Sequence, residues 1–260
     1  VAPEAEQNVN LCQVLIANIT ALAAIDMKKT VILIQAYLLS NMTAIIEATR
    51  LSPLTQLDLL ESVVSAIDED ADRELSDFMT DADTLAYLRL LAGATPKQVL
   101  PFLASHGNYT ATDCIDLCRD KGLTDASALL LERSGQVQEA ITLLLTDLST
   151  RLKVAEKDIC GQMERQQGSS LVNILSKTGE DRSHAVMALP HYAPVRHIIE
   201  CVTATCNRSS STGSTELWFQ ALDHCIKEKK TLRTANSSSA ELVSLVIVQL
   251  LQILLGSMML

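Results

Sequence analysis

HGNYTATDCIDLCRDKGLTDASALLLERSGQVQEAITLLLTDL, residues 106–148, reads as helix, turn, helix, turn, helix. Gly107, Gly122 and Gly135 punctuate it, and glycine ends a helix at low cost because it enters the left-handed region without a Cβ clash. Between these breaks the segments are roughly a dozen residues long, a usual helix length. In the first, Cys114, Ile115, Leu117 and Cys118 recur at i, i+3 and i+4, with Asp113, Asp116, Arg119 and Asp120 on the opposite side. The second opens on Thr124 and Asp125, both N-cap types, and carries Ala126, Leu129, Leu130 and Leu131 before the polar end Glu132, Arg133 and Ser134. In the third, Val137, Ala140, Ile141, Leu143, Leu144 and Leu145 form a face wide enough to demand neighbours on two sides. A stacked helical array supplies them.

Outward from this stretch the pattern persists. Glu4–Ala24 carries a 3.6-residue apolar stripe, Asp26–Lys29 reads as a polar break, and Thr30–Thr49 forms a second helix. Ser52-Pro53 starts a third, Leu54–Ile67, with proline in the first turn, where its missing N–H costs nothing. The acidic run Asp68–Asp72 lacks the alternating ligands and central glycine of a calcium loop and reads as a solvated connection. Glu74–Leu91 follows as a helix ended by Gly93, then a short helix from Thr95-Pro96 to Leu103. Downstream, Lys153–Gln167 reads as a charged helix with Val154, Ile159 and Met163 inward, and Gly168-Ser169-Ser170 as a loop. Short helices are expected at Leu171–Leu175 and His184–Leu189, flanking a turn at Thr178–Asp181, with a break at Pro190–Pro194 and a helix over Val195–Cys206. No segment alternates with period two for long enough to form a strand.

Composition narrows the function classes. Of the 260 residues 48% are hydrophobic and 3% aromatic, so Leu, Ile, Val and Ala do the apolar work, which suits close helix packing. A net charge of −10 argues against a nucleic-acid surface, which needs clustered Lys and Arg. Lys227, Lys229, Lys230 and Arg233, offset by Glu228, read as a solvated helix end. Seven cysteines in helical patterns read as buried thiols in a reducing compartment. Val1 is not Met and no secretory signal pattern follows, so the sequence reads as a fragment of a longer protein. Asn18, Asn41, Asn108, Asn207 and Asn236 each open an Asn-x-Ser/Thr triplet, but Asn18 and Asn41 fall in apolar helical runs, where a glycan would not pack.

Catalytic and metal constellations are not expected. Cys114 and Cys118 could supply two metal ligands from one helix, yet no second pair has matching spacing; Cys201, Cys206, His191 and His197 are irregular. Phosphate-binding glycine loops and the G-x-S-x-G nucleophile turn are absent from the sequence, and His224-Cys225 is simple helical adjacency.

The phrase Leu129-Leu130-Leu131-Glu132-Arg133-Ser134-Gly135-Gln136-Val137-Gln138-Glu139-Ala140 resembles the core of the clathrin heavy chain repeat. Leu217-Trp218-Phe219-Gln220-Ala221-Leu222-Asp223 is similar to the tryptophan-bearing helix that follows the repeat in the vacuolar protein sorting subunits of that family, most of all the subunit-eight branch of the CORVET endosomal tethering complex. The resemblance runs from about Gln98 to Leu232. It implies an all-α solenoid of stacked antiparallel helix pairs: residues 1–94 as N-terminal hairpins, 95–206 as the repeat-like core, 207–215 as a flexible Ser-rich loop and 216–260 as C-terminal helices. Its packing signature here is Gly107, Cys118, Gly122, Leu130, Leu131, Gly135, Ala140 and Leu144, and the candidate partner contacts are Trp218 and Phe219, with Trp218 favoured as core. The implied role is a non-enzymatic scaffold without cofactors, cytoplasmic and peripheral on endosomal or vacuolar membranes. Its implied partners are other tethering-complex subunits and, through the full-length protein, a Rab GTPase and fusion machinery. A HOPS subunit or coat component is the alternative. So is a protein anchored through residues 242–260, a stretch without charge and long enough to span a bilayer. Ser244, Gln249, Gln252, Gly256 and Ser257 interrupt that stretch, which favours a solenoid helix covered by a following repeat.

Overall fold

The computed structural model describes residues 11–70, 73–107, 109–164, 188–210, 215–232 and 238–258. Every regular element among them is helical, and the fold is all-α, built of neighbouring helices packed pairwise in the manner of an α-solenoid. Contacts divide the chain into two compact units, Val1–Ala126 and Ser127–Leu260, a division that falls inside the segment read as the repeat core.

The first unit contains α1 (residues 11–17), α2 (Ile19–Ile25), α3 (Met27–Leu33), α4 (Met42–Thr49), α5 (Pro53–Asp68), α6 (Asp81–Ala94), α7 (Val99–Ser105) and α8 (Ala111–Asp120). The polar break after α2 is a single residue. Asp26 caps α3 by accepting from the Lys29 N–H at 3.0 Å, and that bond holds its carboxyl below the usual carboxylate range. The expected long helix over Thr30–Thr49 is interrupted by a π turn at Ile34–Leu38 and a 3-10 turn at Leu39–Asn41. These shifts of register keep Ile34, Leu38, Met42 and Ile45 fully buried on one side. Asn18 and Asn41 therefore sit at breaks between helices, and Asn18 is exposed, so the packing objection to a glycan does not hold there.

Polar side chains tie these helices together. Gln56 Nε2 donates to the Ile46 carbonyl at 2.7 Å, linking α5 to α4, and Gln35 Nε2 donates to Ala66 O at 3.1 Å. The helix expected from Glu74 to Leu91 is split by a 3-10 turn at Leu75–Asp77, because Thr80 and Asp83 form a capping box that starts α6 afresh. Asp83 is buried and also accepts from Thr43 Oγ1 at 2.7 Å, so its carboxylate is satisfied from two elements. Gly93 lies within α6 and does not end it.

The second unit contains most of α9 (Thr124–Arg133), then α10 (Val137–Glu164), α11 (Ala193–Ser210), α12 (Glu216–Leu232) and α13 (Ser238–Met258). The helices expected at Val137–Leu148 and Lys153–Gln167 are one 28-residue helix, roughly 42 Å long at 1.5 Å per residue. Without a break at Ser149 the phase carries through, so Leu148, Leu152 and Ala155 face inward while Val154 is exposed, against expectation. Helix α11 starts at Ala193, with Pro194 accommodated in its first turn, and runs through Ser210, so Asn207–Ser210, expected as loop, are helical, and 211–214 lie outside the described residues. The helices expected at Leu171–Leu175 and His184–Leu189 lie, wholly or nearly so, outside the described residues.

Helices α10, α11, α12 and α13 all pack on one another. Val243, Val246, Ile247, Leu250 and Leu254 of α13 are fully buried at 3.6-residue spacing. Earlier helices of the same unit cover this apolar face. Among the described residues the helical run long and apolar enough to cross a membrane is Met27–Thr49, with mean hydropathy 1.5. It is bent by its π and 3-10 turns and packs on α2, α5 and α6, as a core helix of its unit does.

Candidate interaction surfaces

Two helix ends carry the sequence signature. After α8, Leu123 N–H donates to Cys118 O at 2.8 Å and Gly122 N–H to Arg119 O at 3.1 Å; after α9, Gln136 donates to Leu131 O and Gly135 to Glu132 O, both at 2.9 Å. These are two Schellman caps, and their glycines adopt φ of 68° and 78°. A Cβ would meet nothing within 4 Å at either glycine, so backbone conformation alone demands the residue. Gly107 is different. It follows the extended residue His106 at the end of α7 and has no positive φ.

The remaining signature residues lie in the core. Cys118, Leu130, Leu131, Ala140 and Leu144 are at most 1% exposed. Trp218 is 2% exposed and Phe219 is 59% exposed, so these adjacent aromatics, about 100° apart around α12, divide between core and solvent, and of the two Phe219 is available to a partner. Replacing Ala140 with Leu should overpack its site and cost about 1–3 kcal/mol. Gln138 is exposed, as its wet-face assignment requires, but its Nε2 donates to Gln220 Oε1 at 2.6 Å on α12. Gln138→Leu should therefore cost no more than about 1 kcal/mol. Thermal unfolding of both variants checks the buried face; equal effects would mean it is misassigned.

A polar brace joins α10 to α12. Ser149 Oγ lies 2.8 Å from both His224 Nε2 and Glu228 Oε1. A carboxylate only accepts, so Ser149 donates to Glu228 and receives from His224. The serine thus stands between the base and the acid, whereas an activated nucleophile needs the histidine in the middle. The arrangement cross-links two helices. A second bridge, from Arg208 to both carboxylate oxygens of Glu132, the Nη2–Oε2 bond being 2.7 Å, ties α11 to α9 and holds the guanidinium above its ordinary range.

Cysteine chemistry follows burial. Desolvation pushes the Cys114 thiol up to about 11 and those of Cys118, Cys206 and Cys225 up to about 12, with nearby carboxylates adding to each and the Cys114 sulfur ranking ahead of Asp125 at Cys118. Cys201 lies 3.9 Å from His197 Nε2, four residues earlier on α11, an i, i+4 pairing that the sequence already contained. Among the described residues, no three His, Cys, Asp or Glu side chains are grouped to hold a metal ion. Folded thiols titrate above their unfolded counterparts, near 8.5, so they stabilise fully below that pH, and the contribution is lost as pH rises towards 11–12. At pH 8 a maleimide should label the half-exposed Cys12 and Cys201 well before the four buried thiols, as peptide mass mapping would report. Comparable rates at Cys118 and Cys12 would contradict the burial.

Comparison with known proteins places these features. Residues 6–156 match the family model of the Vps41 TPR-like region, a span that takes in both Schellman caps and all eight signature residues. A stretch of 67 residues is 33% identical to the vacuolar protein sorting-associated protein 41 homolog of Caenorhabditis briggsae, covering 26% of this chain and 8% of that relative's length. No solved structure matches the chain.

Proposed function

The chain belongs to the family of the Vps41 TPR-like region, and from that membership we propose that it is a non-enzymatic scaffold segment of a vacuolar membrane-tethering complex. The family match over the helical array, ending within α10, is the observation that carries the reading. Packed helices with buried thiols and braced polar groups offer surfaces for holding other proteins at set positions. The relative's name, a vacuolar protein sorting-associated protein, points to the same trafficking role.

A HOPS-type complex is the reading we favour over CORVET. The Leu-Leu-Glu and Trp-Phe phrases resemble the CORVET branch, but the family match is to the Vps41-type region. The proposed partners are the other subunits of the complex. Contacts with a Rab GTPase and the fusion machinery, and a cytoplasmic, peripheral place on vacuolar or endosomal membranes, belong to the full-length protein. Affinity purification of that protein with quantitative mass spectrometry tests the assignment. Recovery of the shared core with HOPS-specific subunits is the expected result. Recovery with CORVET-specific subunits would reverse the choice, and recovery of neither would remove the tethering role.

A further inference from the structure

A groove of about 540 Å³ in the first unit lies among α5, α6 and α7. Glu61 and Asp68 stand seven residues apart on α5, two turns on one face, so both carboxylates reach the same groove. Glu61 Oε1 is buried and has no hydrogen-bond partner. That is costly, because a desolvated carboxylate oxygen without a donor forfeits its hydration with nothing in return. Asp68 is half exposed at the rim, with Oδ1 3.0 Å from His106 Nε2. The wall is aromatic: Tyr87 meets Phe102 edge-on at 5.1 Å, and His106 stacks on Phe102 at 4.4 Å. Burial and the charges of Glu61 and Asp68 together push the Tyr87 hydroxyl well above its ordinary range, which places the phenol in the field of both carboxylates.

We propose that this groove binds an arginine side chain from a basic segment of a partner protein, with the guanidinium donating to the orphaned Glu61 oxygen and to Asp68. The chemistry selects the occupant. A divalent cation would need a third ligand, and among the described residues no such group of three exists. Lysine offers a compact, strongly hydrated charge, whereas arginine's planar fork spans two acceptors while its stem lies along aromatic rings. His106, held by the Phe102 carbonyl at 3.0 Å through Nδ1, fixes the Asp68 side of the groove. Arg73, the nearest basic residue of the adjoining hollow, is bonded to Asp70 at 3.0 Å.

The inference rests on the reading of this chain as a protein scaffold and is tested apart from it. N-acetyl-arginine amide titrated into the whole chain, followed by NMR, should give saturable shifts centred on the Glu61 carboxyl and the His106 ring. N-acetyl-lysine amide should bind about tenfold more weakly or less. Glu61→Gln should abolish saturation without lowering the melting temperature, since it removes a charge whose buried Oε1 has no hydrogen-bond partner in the free protein; Asp68→Asn should weaken binding. Shifts that never saturate, equal binding by spermidine, or a lower melting temperature for Glu61→Gln would each overturn the proposal. Loss of the groove with tethering subunits still co-purifying would leave the scaffold reading standing.

Discussion

Trp218→Ala should destabilise the chain by about 3–5 kcal/mol, the cost of emptying a large aromatic site in a packed core. Trp218 is 2% exposed and shares its face of α12 with Ala221 and Cys225, both buried. Helix α12 packs on α10 and α13, so the cavity would open in the middle of the four-helix cluster, where collapse is hindered on every side. Phe219→Ala, one residue on, should change stability by less than about 0.5 kcal/mol because that ring is already in water. Urea unfolding followed by circular dichroism measures both. A small effect at Trp218 would mean its ring faces a partner, and the roles of the two aromatics would have to be exchanged.

Leu250→Ala should cost about 2–5 kcal/mol, since Leu250 is fully buried at the centre of the inner face of α13. The same burial predicts how the chain behaves toward membranes. For α13 to span a bilayer it would have to leave α10, α11 and α12, exposing the apolar faces of all three, at about 1.5–3 kcal/mol for each large side chain uncovered. The chain should therefore be released from membranes by a carbonate wash, and Leu250→Ala should lower its melting temperature in solution. Retention in the washed pellet, with Leu250→Ala leaving stability unchanged, would mean that α13 inserts in lipid.

Local chemistry determined much of this protein. Helical periodicity and the near absence of aromatics pointed to an all-α fold, and Gly122 and Gly135 marked two helix ends because only a residue without Cβ adopts their φ values comfortably. Ser52-Pro53 likewise announced α5. Tertiary structure decided the rest, wherever a local signal was ambiguous or depended on a distant partner. Gly93 and Gly107 look like Gly122 in sequence, yet neither has a positive φ, since a glycine forces a break only when neighbouring segments demand one. In sequence the helical readings leave a gap between Leu148 and Lys153, but Ser149 is held inside α10 by His224 and Glu228 from α12, which no local window contains. That continuity set the phase that leaves Val154 in solvent. The apolar run at the C-terminal end, equally suited by composition to lipid and to protein, found its cover in helices up to a hundred residues earlier. The orphaned oxygen of Glu61 was invisible in sequence for the same reason: a carboxylate becomes informative only when folding has withdrawn both water and donors from it.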